Sequence, residues 1–242
     1  MKGVILAGGK GTRLGKLTAV QNKHLVAVCE SPMIEYPLST LKKIYVDDIT
    51  IVTGDEHAGT VMQYLTQIHP ETDFTYKVQK GAGGIAHALA RAENICKNSN
   101  VAVILGDNIF ENNFYEAARQ FDLSNLECML FLKEVPDPER FGVAEIKDDK
   151  IISIEEKPKN PKSNLAVTGL YIYNSRVFDI IKSIKPSNRG ELEITDVNNI
   201  YLENERTGYH IINGFWSDAG THESRKKAEK YIYEVGIDNF LC

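Results

Sequence analysis

Little in this sequence suits a membrane, a nucleic acid or a disulfide-built fold. No segment nears the ~20 consecutive apolar residues of a membrane span. Met1-Lys2 leads only into the short apolar run Val4 to Ala7, too short for a signal-peptide core. No basic run exceeds Lys42-Lys43 or Arg225-Lys226-Lys227, and 28 Lys and Arg against 33 Asp and Glu leave a net charge of −5. Binding a phosphate backbone needs a basic face, so nucleic acid is not expected as a partner. A small phosphorylated substrate needs only a few placed cations and stays open. Cys29, Cys96, Cys128 and Cys242 form no C-x-x-C pair, and the six histidines show no H-x-E or H-E-x-x-H spacing. A zinc site is therefore not expected, and a reduced, cytoplasmic chain is. No linker rich in Pro, Gly or Ser divides the chain and no internal repeat is visible, so one domain over residues 1–242 is expected.

What is present is an α/β pattern. Apolar residues at 43% and charged residues at 25% are ordinary for a globular protein large enough to bury a core. Val4 to Ala7, Ile49 to Thr53, Phe74 to Val78 and Val101 to Leu105 read as strands. Between them, Ser31-Pro32 reads as a helix start, with Ser as N-cap and Pro at the first helical position. Pro37 in that helix should kink it or delay its start. Thr60 to Ile68 reads as a second helix, and Ile85, Leu89, Ala92 and Cys96 fall on one face of a third. After Cys128, Val143 to Ile146 and Ile151 to Glu155 read as a hairpin and Val167 to Tyr173 as a strand. Helices are expected at Val177 to Ile184, Thr195 to Glu203 and Thr221 to Glu234.

Such alternation predicts a three-layer, Rossmann-like α/β/α fold with a mixed, mainly parallel sheet and a small β-rich insertion. Ligands then bind at the carboxyl ends of the strands. Gly8-Gly9-Lys10-Gly11, Gln79 and Gly106-Asp107-Asn108 follow strands and should converge on one crevice.

Gly8-Gly9-Lys10-Gly11-Thr12-Arg13-Leu14 is the most informative stretch. Its glycines let backbone N–H groups approach phosphate oxygens, and Arg13 adds a fork of donors. A dinucleotide G-x-G-x-x-G starting at Gly9 needs glycine where Leu14 stands, and a P-loop needs G-K-[ST], whereas Lys10 precedes Gly11. A hydride-transferring Rossmann enzyme is disfavoured on that ground.

The loop, together with Asn22-Lys23-His24-Leu25, Ser31-Pro32-Met33-Ile34, Gly106-Asp107-Asn108 and Glu155-Glu156-Lys157-Pro158, resembles the sugar-nucleotide pyrophosphorylases. The resemblance continues through Val167-Thr168-Gly169-Leu170-Tyr171, Arg189-Gly190-Glu191-Leu192-Glu193-Ile194-Thr195-Asp196 and Trp216-Ser217-Asp218-Ala219-Gly220-Thr221. The motifs span nearly the whole chain in the family's order. The R-G-E-L-E-I-T-D run is especially similar to the family's thymidylyltransferase branch.

The resemblance implies transfer of a nucleotidyl group from a nucleoside triphosphate to a sugar 1-phosphate, with release of pyrophosphate. The attacking phosphate is already an anion at neutral pH, so no nucleophile triad is needed and none is seen. The task is positioning and charge neutralisation. Arg13 and Lys23 would grip the triphosphate, together with Gly8, Gly9, Gly11 and Thr12. Lys157 would hold the sugar phosphate, assisted by Arg189. Asp107 and Asp218 would hold Mg²⁺, which takes one or two carboxylates plus substrate phosphates. Gln79, with Gly84, would read the O4/N3–H edge of thymine or uracil. Gly142, Glu156 and Val167 match positions that line the hexose pocket. Trp216 is either a platform for a sugar face or simple core.

The expected substrates are dTTP and α-D-glucose 1-phosphate, with UTP as the alternative because it presents the same base edge. Ala27, His87 and Ala219 depart from the family's usual Pro, Gln and Thr, and none of them removes a proposed charge. A catalytically silent nucleotide-sugar sensor is the alternative of another class. Arg13, Lys23, Asp107, Lys157 and Asp218 occurring together argue against it. The nucleotide-binding half is expected at about residues 1–127 and the sugar-binding, metal-completing half at about 128–242. The sequence stops at Cys242, short of the helical extension of longer thymidylyltransferases, so product inhibition only by competition at the active site is expected. Phe240 and Leu241 leave a homo-oligomer possible.

Overall fold

The computed structural model describes residues 1–9 and 11–242; Lys10, in the Gly-rich loop, lies outside the described residues. The chain opens with strand β1 (Lys2–Ala7) and 3₁₀ turns at Thr12–Thr18 and Lys23–Leu25. A small antiparallel ribbon of β2 (Ala27–Val28) and β3 (Ser31–Pro32) precedes helix α1 (Glu35–Lys43). Next come β4 (Ile49–Gly54), α2 (Ala58–Ile68), β5 (Phe74–Gln79), α3 (Ile85–Ala90), α4 (Glu93–Cys96) and β6 (Val101–Leu105). Then follow β7 (Ile109–Phe110), α5 (Tyr115–Leu123), β8 (Cys128–Glu134), the hairpin β9 (Gly142–Lys147) and β10 (Lys150–Glu156), and β11 (Leu165–Tyr173). The last elements are α6 (Val177–Ser183), α7 (Ile194–Leu202), β12 (Thr207–Ile211), β13 (Trp216–Ser217) and α8 (His222–Val235). No helix is long and apolar enough among the described residues to cross a membrane.

Among the described residues nine strands form one mixed sheet, in the order β10-β9-β11-β6-β1-β4-β5, with β8 also paired to β11 and β12 to β8. Strands β6, β1, β4 and β5 run parallel to one another, whereas β11 runs antiparallel to β6. The sheet has two buried faces because its central strands are apolar on both. In β1, Val4 and Leu6 join Val101 and Val103 of β6 beneath Leu89, Phe178 and Val197. The alternate residues Ile5 and Ala7 join Ala102 and Ile104 beneath Leu41, Val61 and Phe121. Period-two alternation thus feeds two helical layers from the same strands. A third cluster packs Ala228 and Ile232 of α8 against Leu14, Val28 and Met33, near the Gly-rich loop.

Two local expectations need correction, while the delayed start expected from Pro37 is observed. Ser31-Pro32 is a ribbon strand and not a helix start. Helix α1 begins at Glu35, which places Pro37 in its first turn, where the missing N–H has no intrahelical partner to lose. The expected helix from Ile85 to Cys96 breaks into α3 and α4 at Arg91-Ala92, although Leu89, Ala92 and Cys96 stay fully buried. The sequence reading also passed over β8, β12 and α5.

Parallel pairing puts the carboxyl ends of β1, β4, β5 and β6 on one edge. Strand β11 runs the other way and pairs Leu170 with Ile104, so its amino-terminal part, Leu165 to Thr168, extends past β6 onto that same edge. Its register with β8 shifts between Val167 and Tyr171. The hairpin β9–β10 continues the sheet from β11 through the pairing of Ala166 with Val143.

Candidate functional site

Two cavities open along this edge. The first, about 340 Å³, is bounded by the Gly-rich loop and is lined by Gly8, Gly9, Arg13, Lys23, Gln79, Gly84 and Asp107. The second, about 460 Å³, lies under the hairpin and is lined by Gly142, Glu156, Lys157, Val167, Arg189, Trp216 and Asp218. Arg13, Asp107, Ile85, Leu105 and Glu191 line both, so the cavities meet. Gly11 and Thr12 line neither; Gly11 turns the loop, with φ +63°. A Cβ at Gly11 would lie 2.8 Å from the Lys23 side chain, so glycine lets the loop close against Lys23.

The junction concentrates charge. Lys23 Nζ donates to Asp107 Oδ2 at 2.6 Å, and both side chains are largely buried. Asn108 Nδ2 donates to Asp107 Oδ1 at 3.0 Å. Burial works against ionising Asp107, but the Lys23 charge and these hydrogen bonds outweigh it and hold the carboxyl below its usual range. Across the junction, Asp218 is pushed up, first by burial and then by the negative charge of Asp107, while Arg140 and Arg13 oppose the shift. A Cβ at Gly220 would lie 3.2 Å from both Arg13 Nη2 and Asp107 Oδ2, so glycine there lets the two groups approach.

These residues fit a hard divalent cation. The charge of Asp107 disfavours ionisation of Asp218, an arrangement that a cation relieves. Among the described residues no three His, Cys, Asp or Glu side chains group to hold a metal unaided.

In the second cavity, Glu156 is oriented from several sides. Thr195 Oγ1 donates to its Oε2 at 2.6 Å, Arg189 Nη2 to its Oε1 at 3.3 Å, and Lys157 Nζ lies 3.5 Å from Oε1. Arg189 is engaged chiefly by Glu193, through Nε to Oε1 at 3.1 Å and Nη2 to Oε2 at 2.7 Å. Lys157 has φ +47°, held by its N–H donating to Phe141 O at 2.9 Å. A lysine kept in this unfavourable region is a strained residue at the cavity wall. Trp216 packs against Phe141, ring centroids 5.2 Å apart, and lines the cavity as well.

The first cavity holds a detail that sequence reasoning did not foresee. Gln79 is 6% exposed, and its Nε2 donates both to Gly84 O and to His87 Nδ1, each at 3.1 Å. Its amide therefore offers a ligand an acceptor edge only. Other residues were missed. Arg140 pairs with Asp137 and reaches Asp218 Oδ2 at 3.3 Å, its guanidinium over the Phe141 ring. Asn108 accepts from Gly169 N and Trp216 Nε1 while donating to Asp107. Asp55 and His57, in the β4–α2 turn, line the first cavity. Only Asn108 had a signal in the sequence, standing beside Asp107 in a recognised motif.

Known proteins resemble this chain over nearly its whole length. The model of the nucleotidyl transferase family matches residues 2–234. A glucose-1-phosphate thymidylyltransferase of Neisseria meningitidis serogroup A is 42% identical, over 97% of this chain and 83% of its own. The low-salt glycan biosynthesis nucleotidyltransferase Agl11 of Haloferax volcanii is 34% identical, over 97% of this chain and 66% of its own. Among solved structures, a Bacillus anthracis protein assigned as a glucose-1-phosphate thymidylyltransferase, crystallised with sucrose, superposes with a TM-score of 0.92 at 48% identity. That match covers 98% of this chain and 96% of the other. A UDP-glucose pyrophosphorylase complexed with UDP-glucose superposes with a TM-score of 0.86 at 25% identity, over 96% of this chain and 98% of its own. The chain belongs to the nucleotidyl transferase family.

Proposed function

We propose that the protein transfers a thymidylyl group from dTTP to α-D-glucose 1-phosphate, giving dTDP-glucose and pyrophosphate. The observation that carries this reading is the meeting of two cavities at Arg13 and Asp107. One cavity presents the loop, a base-reading amide and two cations; the other presents an oriented carboxylate and a strained lysine. The relatives' names supply the sugar and the base. The proposed division of the chain follows the cavities, with residues up to about 127 serving the nucleotide and the remainder the sugar.

In the proposed reaction an oxygen of the sugar phosphate forms a bond to the α-phosphorus of dTTP. The bond from that phosphorus to the bridging oxygen of the β-phosphate breaks, and pyrophosphate leaves with the electron pair. No proton need move, so the residues act by placement and charge. Arg13 and Lys23 hold the triphosphate and offset the charge that grows on the departing pyrophosphate. Lys157 holds the attacking phosphate, and Glu156 accepts from sugar hydroxyls. Gln79 Oε1 accepts from base N3–H, and Arg189 keeps Glu156 in place. Asp107 and Asp218 would hold Mg²⁺, which when bound would supply charge neutralisation at the phosphates.

A UTP-specific reading remains the second one, because uracil presents the same N3–H to Gln79. The test is a matrix of nucleoside triphosphates against sugar 1-phosphates, read by pyrophosphate release with Mg²⁺ present. The greatest kcat/KM is expected for dTTP with glucose 1-phosphate. A preference for UTP would move the assignment, and no release from any pair would favour a nucleotide-sugar sensor.

A further inference from the structure

We propose that His87 is a positioning residue for nucleobase selection, fixing which edge of the Gln79 amide faces the nucleotide. The inference rests on the reading of Gln79 as the base-recognising side chain. A backbone carbonyl only accepts, so Gly84 O requires the nitrogen of the Gln79 amide on its side, and the two lie 3.1 Å apart. The second N–H of that nitrogen points at His87 Nδ1, also at 3.1 Å, which makes Nδ1 the acceptor and places the ring proton on Nε2. With both N–H groups spent inside the protein, Oε1 is the edge left over. It faces the loop: a Cβ at Gly8 would lie 2.9 Å from it.

An acceptor-only edge takes the N3–H of thymine or uracil and meets the bare N3 lone pair of cytosine unfavourably. Discrimination of this kind depends on the amide staying in one orientation. Gly84 supplies half of the lock from the backbone and His87 the other half from the third residue of α3. The His87 ring has room because the residue beside it, Gly83, lacks a side chain; a Cβ there would collide with the ring. His87 does not line the cavity, so it acts through Gln79 and not on the ligand.

The experiment measures kcat and KM for dTTP and dCTP, and KM for glucose 1-phosphate, in the intact chain and in His87→Leu, His87→Gln and Gln79→Ala. His87→Leu should lower the dTTP-to-dCTP ratio of kcat/KM about tenfold, through KM for dTTP, with KM for glucose 1-phosphate changed less than about twofold. His87→Gln, whose side-chain oxygen can accept the same N–H, should keep the ratio within about threefold of the original. The inference is overturned if His87→Leu preserves the ratio, if His87→Gln falls as far as His87→Leu, or if KM for both substrates rises together. The Gln79→Ala arm separates the two failures. An unchanged ratio there removes the base reading of Gln79 itself, whereas a collapsed ratio beside an unchanged His87→Leu removes only the role of His87.

Discussion

Trp216 Nε1 donates to Asn108 Oδ1 at 2.7 Å, and Asn108 Nδ2 passes the connection on to Asp107 Oδ1 at 3.0 Å. The wall of the second cavity is thereby tied to the carboxylate between the two cavities. Asn108 is 1% exposed and also accepts from Gly169 N, so its amide cannot turn without losing several bonds. Trp216→Phe keeps a ring against Phe141 and removes the N–H together with part of the ring volume. We expect kcat to fall about 3- to 10-fold, in line with one lost hydrogen bond to a buried network, with KM for the sugar phosphate nearly unchanged. Steady-state kinetics decide it. Trp216 is the protein's one tryptophan, so in the unsubstituted protein its emission reports on this wall, and nucleotide with Mg²⁺ should shift it.

Asp107→Asn and Asp218→Asn should each cut turnover by about 10²–10⁴, since each removes a charge facing the phosphates and the metal. The two should differ in stability. The Asp218 carboxyl titrates above its unfolded value, because of burial first and Asp107 second. A raised carboxylate favours folding when protonated and opposes it once ionised, so its penalty appears as pH rises through the raised value. Asp218→Asn should therefore raise Tm at pH 7, by about 2–4 °C per kcal/mol relieved, and lose that advantage below pH ~4. Thermal melts at both pH values check this, and near-normal turnover in folded variants at limiting Mg²⁺ would remove the metal assignment.

Lys157→Ala should chiefly raise KM for the sugar phosphate, and Arg13→Ala should chiefly damage use of the triphosphate. The reason is position: Lys157 lines only the second cavity, whereas Arg13 lines both. Any loss of kcat marks contacts made only in the transition state. Equal damage to both substrates from both variants would show that the cations do not divide the work.

His24 is fully buried as a neutral ring, its Nδ1 2.7 Å from Asn22 Oδ1, and burial and then the Lys23 charge lower its pKa to about 3. A histidine lowered on folding contributes stability above its unfolded pKa, and that contribution drains away as pH falls from about 6.5 towards 3. The slope from one such group approaches about 1.4 kcal/mol per pH unit. His24→Gln, which cannot take up the proton, should melt with a shallower pH dependence between pH 6 and pH 4 (about one proton fewer). Parallel pH profiles for the two proteins would refute this account of His24.

The sequence by itself determined the layers and most of the expected residues that line the two cavities. Short unbroken apolar runs such as Val101 to Leu105, rich in β-branched residues, suit central strands, and a Gly-rich loop after the first strand marks the expected binding edge. The hairpin over residues 142–156 was legible because turn residues separate two alternating runs. What the sequence could not give is anything set by partners distant in the chain. Strand β8 was passed over because its apolar residues gain meaning only between β11 and β12. The break between α3 and α4 leaves the apolar period intact, so periodicity does not register it.

At the site, residue types were readable but their orientations were not. Gln79 offers a donor and an acceptor in the sequence; packing against Gly84 and His87 leaves it one edge. Arg189 reads as an aid to Lys157 at the sugar phosphate, and the fold adds that Glu193 engages its guanidinium, which also reaches Glu156. Arg140 meets Asp218 across 78 residues of chain, a proximity that no local pattern encodes. Composition and spacing choose the groups that enter the crevice, because local conformation depends on neighbours in sequence. Which proton, lone pair or charge each group presents is settled by hydrogen bonds between segments that only the folded sheet brings together.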